Sequence, residues 1–197
     1  MARKDLSDYL IHFTKDENYE LAFKRLKNII KEKTILGTSN KIKGGYNCVC
    51  FSEAPITVLK NGLVNPEYYS NYSPFGIMIK KEYIFAKAGR PVIYQTDNEF
   101  NQLPDNIRWR HVRYEPLNDL PIDFTWEREW RIKCSKLRFD EKTASIIVLN
   151  ESWANRLIND HEEEQDYKIL EYSLLFNDKN LAHLYYEPFS WNLILLQ

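Results

Sequence analysis

The chain has 197 residues, the length of one domain, and its 44% hydrophobic and 28% charged content is that of a folded globular protein. Its 27 basic and 28 acidic residues give a net charge of −1. This balance excludes a general nucleic-acid coat protein, although it permits a local basic groove. The sequence contains no apolar run close to the roughly 20 residues of a membrane span and no apolar signal core. We therefore expect one cytoplasmic domain over residues 1–197, without a membrane partner.

The cysteines and histidines do not predict a metal site. The three cysteines are Cys48, Cys50 and Cys134, and their spacing fits neither a zinc motif nor a redox motif. We expect them to be reduced core residues. The four histidines are scattered along the chain, so we predict no metal cofactor.

The first 37 residues predict a strand followed by a helix. Residues 9–13 form a short apolar run, typical of a buried strand. Thr14 and Glu17 have the spacing of a capping box, and Asp16 is a second candidate cap. Apolar residues then recur at helical spacing from Tyr19, so we predict an amphipathic helix that ends near Gly37.

The remaining chain predicts further short strands and a few helices. A fully apolar strand at 47–52 is followed by strand candidates at 75–80, 91–94, 110–114, 125–134, 144–149 and 191–196. Residues 150–159 predict a short helix, and the acidic residues 160–168 predict a solvated loop. About seven strands with two or three helices indicate an α+β protein with a mostly antiparallel sheet.

The predicted strand at 125–134 carries the most informative polar pattern. Because side chains alternate along a strand, the residues divide between its two faces. One face would carry Thr125, Glu127, Glu129 and Arg131. The other face would carry Trp126, Trp130, Ile132 and Cys134. Two acids on one face are costly to bury without a function or a partner. The alternative is a surface ladder of ion pairs with neighbouring basic residues.

Two basic segments are candidates for binding phosphates. Arg90 lies between Gly89 and Pro91, where its guanidinium could bind a diphosphate or a nucleic-acid backbone. Arg108, Trp109 and Arg110 mix cations with an aromatic ring, a pattern used for single-stranded nucleic acid. The alternative for this second segment is an exposed strand face.

The order of the motifs resembles that of the ADP-ribosyltransferase superfamily. The motifs are a His-x-Thr at residues 12–14, an apolar strand ending in Phe-Ser-Glu at 51–53, a Tyr-rich loop, and the late Glu-x-Glu at 127–129. The chain is most similar to the branch with diphtheria-toxin-like transferases, poly-ADP-ribose polymerases and DNA-modifying DarT toxins. Residues 127–131 also resemble a signature of bacterial abortive-infection and phage-defence proteins. The resemblance spans residues 9–134 and implies a split, mostly antiparallel sheet with a few flanking helices.

The resemblance assigns roles to several residues. It implies that Glu129 stabilises the cation that develops on the ribose of NAD, and that Glu127 orients or deprotonates the acceptor; the two assignments can also be exchanged. His12 would bind a ribose hydroxyl, the backbone of Phe13 would hold the nicotinamide amide, and Thr14 could add a hydroxyl. Cys50 or Phe51, the latter beside Ser52, stands where the family has a tyrosine that stacks on nicotinamide, and Phe51 could stack in its place. Tyr69 or Tyr72 would supply the second ring.

The sequence therefore predicts an NAD-dependent ADP-ribosyltransferase, with NAD as co-substrate and RNA, DNA or protein as acceptor. The resemblance also implies a toxin or anti-phage effector with a possible antitoxin partner. Two alternatives stay open: an NAD glycohydrolase that uses water as acceptor, and a non-catalytic module that binds a nucleotide or nucleic acid.

Overall fold

A seven-stranded sheet forms the centre of the computed structural model, which describes residues 6–54 and 72–197. Its strands are β1 (Tyr9–Phe13), β3 (Cys48–Ser52), β4 (Gly76–Lys80), β5 (Arg90–Pro91), β8 (Glu129–Lys133), β10 (Ala144–Val148) and β11 (Leu193–Leu195). They lie in the order β11-β10-β4-β1-β3-β8-β5, and all neighbours are antiparallel except β10 and β11.

Two smaller sheets flank the central one. The first joins β2 (Thr34–Leu36) to β9 (Lys136–Arg138) in antiparallel pairing. The second joins β6 (Ile93–Gln95) to β7 (His111–Arg113) in parallel pairing. The predicted class, α+β with a mostly antiparallel sheet, is confirmed. The sequence pattern did not predict β2 or β9, and it predicted a single strand at 91–94 where the structure has β5 and β6.

Helices cover one face of the central sheet. The described residues contain α1 (Tyr19–Glu32), α2 (Lys81–Ala86), α3 (Glu151–Phe176) and α4 (Lys179–His183). The ring of Phe23 on α1 lies 5.5 Å from that of Phe75 and 4.9 Å from that of Trp153 on α3. These rings join both long helices to the sheet in one core. Within the described parts of the chain, no helix has the length and apolar character needed to cross a membrane.

The predicted cap of α1 was wrong. Asn18 is the N-cap, and its side chain accepts a hydrogen bond from the Leu21 amide at 2.9 Å. The Thr14 hydroxyl instead donates to the Phe75 carbonyl at 3.1 Å, which fixes the end of β1 against β4. The helix also ends earlier than predicted, because Lys33 adopts a left-handed conformation with φ of 46° and the chain enters β2.

The predicted loop at 160–168 was also wrong, since these residues lie in the middle of α3. Asn150 caps this 26-residue helix instead of belonging to it. The acidic residues face lysines of α1: Lys27 lies 2.5 Å from Asp160, and Lys31 lies 3.3 Å from Glu164. Ion pairs with a distant part of the chain thus stabilise the acidic residues 160–168 in a helical conformation.

The predicted strand at 125–134 is shorter than expected. Residues Thr125–Glu127 form a turn of 3₁₀ helix, and Arg128 has a positive φ of 45°, so β8 begins only at Glu129. Trp126 is consequently 42% exposed instead of lying in the core. Within β8 the predicted alternation is confirmed: Trp130 and Ile132 pack in the core, and Glu129 and Arg131 share the opposite face.

The central sheet is weakest between β1 and β3. Five residue pairs join β1 to β4 and five join β3 to β8, whereas β1 and β3 share only the pair Ile11 and Ser52. The two strands therefore separate beyond this point, and His12 and Phe13 lie at the place where the strands separate. We call this opening the β1–β3 gap.

The cap of α1 can be tested by substitution. We expect Asn18→Ala to lower the free energy of unfolding by about 1 kcal/mol, because it removes the hydrogen bond to the Leu21 amide. The measurement is urea denaturation followed by circular dichroism. Asn28→Ala is the matched control, because Asn28 is exposed within the same helix and alanine has the higher helix propensity. Equal losses in the two variants would contradict this assignment of the cap.

Candidate functional site

The imidazole of His12 lies in the β1–β3 gap. Its Nδ1 is 2.8 Å from the carbonyl oxygen of Cys50 on β3. A carbonyl only accepts hydrogen bonds, so Nδ1 carries the proton and donates it. The side chain of His12 thus joins the two strands where their backbones no longer pair.

This hydrogen bond fixes the tautomer of His12. Burial lowers the pKa of His12, and the hydrogen bond to Cys50 opposes this shift only in part. The ring is therefore neutral near pH 7, with the proton on Nδ1, and its Nε2 has no hydrogen-bond partner among the described residues. A hydroxyl group of a ligand could donate a hydrogen bond to Nε2.

The main chain of Phe13 faces the same gap. The amide of Thr14 donates to the Phe75 carbonyl on the β4 side. Because main-chain groups alternate along a strand, the N–H and C=O of Phe13 point toward β3. The pairing with β3 has already ended at Ile11, so no described residue continues the ladder there. An amide group of a ligand could form hydrogen bonds with both groups.

Cys50 connects His12 to Glu129. Its carbonyl accepts from the His12 ring, and its thiol lies close enough to the Glu129 carboxylate on β8 for the two groups to interact. Burial, and then the charge of Glu129, raise the pKa of the Cys50 thiol well above its usual range. The thiol is therefore protonated near neutral pH and can donate to the carboxylate.

Glu129 forms a two-point ion pair with Arg131. The distances are 2.7 Å from Nε to Oε1 and 3.2 Å from Nη2 to Oε2. The Arg131 side chain is only 6% exposed, and its Nη1 also donates to the carbonyls of Trp109 and His111. Burial alone would lower the pKa of Arg131, but the Glu129 carboxylate raises it above its ordinary value. The carboxylate of Glu129 is therefore held in one orientation.

Glu127 approaches Glu129 because the chain turns sharply between them. Arg128, with its positive φ, reverses the direction of the chain before β8. The hydroxyl of Tyr94 stabilises the turn: it accepts from the Glu129 amide at 3.1 Å and donates to the Phe124 carbonyl at 3.2 Å. The Ser52 hydroxyl donates to the Glu127 carbonyl at 2.7 Å. Ser52 is buried, so it positions Glu127 through the main chain.

The electrostatic surroundings of Glu127 suit a base. Burial, and then the nearby charge of Glu129, raise the pKa of Glu127. A hydrogen bond from the Tyr72 hydroxyl and the charges of Lys15 and Arg131 act in the opposite direction. A carboxylate with a raised pKa accepts a proton more readily than an ordinary glutamate does.

An aromatic wall borders the gap. The Tyr72 ring lies 5.5 Å from that of Phe13 and 6.5 Å from that of Trp126, and the ammonium of Lys15 is 5.6 Å from its centre. Phe51, the other predicted stacking ring, is 3% exposed and packs edge-on against His12 at 5.9 Å. It therefore supports His12 from the core. Tyr69 lies outside the described residues.

The Phe-Ser-Glu motif at 51–53 contacts the Glu-x-Glu-Trp-Arg motif at 127–131. Glu53, which follows β3, accepts from the indole of Trp130 at 2.7 Å and pairs with Lys81 at 2.6 Å. Its amide also donates to the carbonyl of Arg128. Together with the bond from Ser52, these contacts explain why the sequence contains Phe-Ser-Glu and Glu-x-Glu-Trp-Arg together.

Among the described residues, no hydrogen bond or ion pair joins the predicted basic segments to His12 or Glu127. Trp109 is 7% exposed, and its indole donates to the Asn106 carbonyl, so its ring has no open face for a base. Arg108 pairs with Asp105 at 2.5 Å and donates to two loop carbonyls. Its guanidinium therefore stabilises the local segment that contains Asn101, Leu103 and Asp105. Arg90 and Arg110 lie close to each other, and Arg90 is paired in register with Arg131 at the edge of the central sheet.

The sequence did not identify Lys15 or Trp126 as functional candidates, and it offered Cys50 only in place of a stacking ring and Arg131 only as an ion-pair partner of the glutamates. Lys15 follows His-x-Thr directly, so its position could have marked it. Trp126 was assigned to the core because the strand was extended through Arg128. The contacts of Cys50 with His12 and of Arg131 with the Trp109 and His111 carbonyls join segments far apart in the chain, and no local pattern signals them.

Comparison of the chain with protein-family models, curated proteins and solved structures finds no match. Across residues 6–54 and 72–197, no three His, Cys, Asp or Glu side chains form a group able to hold a metal ion. The interpretation of the site therefore depends on the geometry of the β1–β3 gap.

The buried ion pair can be tested by removing its cation. We expect Arg131→Met to lower the free energy of unfolding by about 3–5 kcal/mol, because Glu129 and two carbonyls lose their partner in the interior. The matched control is Arg113→Met, because Arg113 pairs with Glu115 at an exposed position. We expect a loss of no more than about 1 kcal/mol there. The free energies of unfolding are measured by urea denaturation. Similar losses in the two variants would show that the Arg131–Glu129 pair contributes no more to stability than an exposed ion pair.

Proposed function

We propose that the protein is an NAD-dependent ADP-ribosyltransferase. The observation that carries the proposal is the connection of His12, Cys50 and Glu129 across three neighbouring strands. This connection places a neutral imidazole and a fixed carboxylate at one opening of the sheet.

The residues of the gap fit the groups of NAD. Nε2 of His12 could accept from a ribose hydroxyl, and the main chain of Phe13 could bind the nicotinamide amide. Tyr72 offers an aromatic ring beside them, between Phe13 and Trp126. These contacts would orient the nucleotide without a metal ion or a second cofactor.

The two carboxylates suit different roles. Cleavage of the bond between nicotinamide and ribose develops positive charge on the ribose, and a fixed carboxylate stabilises such charge. Glu129 is held by Arg131 through both oxygens and suits this role. Glu127 has a raised pKa and suits the removal of a proton from the acceptor nucleophile. We therefore assign the electrostatic role to Glu129 and the base role to Glu127.

The biological part of the proposal follows the resemblance of the motifs to transferase toxins. We propose that the acceptor is a macromolecule and that the protein acts as a bacterial toxin or anti-phage effector. An antitoxin partner belongs to the same proposal.

One observation favours a second candidate function, a non-catalytic binding module. Both oxygens of Glu129 are already bound by Arg131, as in a structural ion pair. In that case the gap would bind a nucleotide without cleaving it. Activity assays separate the two candidates.

The transferase can be tested with NAD labelled in its adenylate group, incubated with total RNA, single-stranded DNA and cell lysate. We expect the label to reach a macromolecule and Glu129→Gln to reduce this transfer by at least about 10²-fold, because it removes the stabilising charge. Glu115→Gln is the matched control, since Glu115 is also paired with an arginine but lies outside the gap. It should retain transfer.

Other outcomes have definite meanings. Transfer that survives in Glu129→Gln would contradict the role of this carboxylate. Free nicotinamide without transferred label would indicate hydrolysis of NAD. Binding of NAD without any turnover would support the non-catalytic module.

The raised pKa of Glu127 predicts the pH dependence of transfer. A base must be ionised, so we expect activity to rise with pH through a midpoint above the value of about 4.3 for an ordinary glutamate. This acid limb should disappear in Glu127→Gln. A limb with the same midpoint in the variant would assign the titration to another group.

The same shift predicts an effect of Glu127 on stability. A carboxyl whose pKa is higher in the folded state stabilises the fold below its unfolded pKa and loses this contribution as pH rises through the folded pKa. Glu127→Gln removes the charge that is costly at pH 7 and can still accept from Tyr72. We expect it to raise the free energy of unfolding at pH 7 by about 0.5–2 kcal/mol, with a smaller gain at pH 4. A loss of stability at pH 7 would contradict this reading.

A further inference from the structure

Arg90 and Arg110 bring two positive charges together on one face of the protein. Nε of Arg110 donates to the Pro91 carbonyl at 2.9 Å, directly beside Arg90. Nη1 of Arg90 donates to the carbonyls of Phe85 and Gly89, at 2.9 and 2.6 Å. Main-chain carbonyls therefore orient both guanidinium groups. Partial burial, and then the charge of Arg90, lower the pKa of Arg110.

Neither guanidinium has an acidic partner among the described residues. Three other arginines of this region do have one: Arg108 pairs with Asp105, Arg113 with Glu115 and Arg131 with Glu129. Within residues 6–54 and 72–197, Arg90 donates hydrogen bonds only through Nη1 and Arg110 only through Nε. Nε and Nη2 of Arg90 and both Nη atoms of Arg110 therefore have donors available for an anion. An anion between the two groups would also relieve their mutual repulsion.

An exposed aromatic ring lies next to this pair. The guanidinium of Arg90 is 3.8 Å from the centre of the Phe85 ring, and Phe85 is 51% exposed. One face of the ring thus contacts the cation, while the residue remains open to solvent. A flat apolar surface beside two phosphate-binding groups is the arrangement used for single strands of nucleic acid.

We propose that Arg90, Arg110 and Phe85 bind the backbone of a single-stranded nucleic acid. The two guanidinium groups contact neighbouring phosphates, and the Phe85 ring stacks against an adjacent base. Guanidinium forks match phosphate oxygens in geometry as well as in charge. No contact to a base edge is required, so binding is tolerant of sequence. The inference does not depend on NAD chemistry, because binding can be measured without NAD.

The test is fluorescence anisotropy with labelled oligo-dT and oligo-U of about 12 nucleotides, without NAD and over a series of salt concentrations. We expect Arg90→Gln combined with Arg110→Gln to weaken binding at least tenfold. The slope of log affinity against log salt should fall by about 1.4, because two phosphate contacts with a single strand are lost. We expect Phe85→Leu to weaken binding at least fivefold without changing this slope.

Arg25→Gln is the matched control. Arg25 is exposed but paired with Asp16, and it belongs to α1, so its variant should bind like the wild type. Thermal unfolding of each variant identifies loss of fold, and the single variants Arg90→Gln and Arg110→Gln replace a double variant that unfolds. Equal binding by the double variant and the wild type would overturn the proposal. Binding of a poly-glutamate peptide, but of neither oligonucleotide, would also overturn it and indicate an acidic protein partner.

Discussion

The buried guanidinium of Arg131 organises the molecule around the candidate site. It holds Glu129 through two bonds and reaches the carbonyls of Trp109 and His111 on a separate segment. Burial of a charge is costly unless its partners satisfy it, and here four hydrogen bonds do so. The same residue that orients the carboxylate therefore also fixes the segment that carries Arg110. Together with the pairing of β5 to β8, the Arg131 side chain therefore sets where Arg90 and Arg110 lie relative to the β1–β3 gap.

The two neighbouring carboxylates differ because their surroundings differ. Glu129 belongs to a strand and has a cation bound to both oxygens, whereas Glu127 belongs to the preceding turn and receives a hydrogen bond from Tyr72. The left-handed residue between them lets the two side chains approach although they are not on one strand face. When one carboxylate keeps a fixed charge and its neighbour has a raised pKa, the first suits electrostatic stabilisation and the second suits proton transfer.

Local patterns in the sequence predicted much of the fold but only part of the site. Two local patterns were sufficient to predict strands: the apolar runs of β1 and β3, and the alternation of Trp130 and Ile132. Burial of a strand imposes such patterns on neighbouring residues. The sequence offered several capping residues before α1, and only tertiary contacts select Asn18 by directing Thr14 to Phe75. The positive φ of Arg128 has no signal at a residue other than glycine. The contacts of Cys50 depend on strand pairing across 38 and 79 residues, beyond any local pattern.

The thiol of Cys50 has a consequence for redox chemistry. The reactive form of cysteine is the thiolate, and a raised pKa keeps that form scarce. Although Cys50 lies at the gap, it is therefore a poor target for peroxide and for alkylating reagents. Cys48, whose pKa burial raises to about 11, is similarly protected. Cysteine-directed labelling reagents would thus leave the gap unmarked.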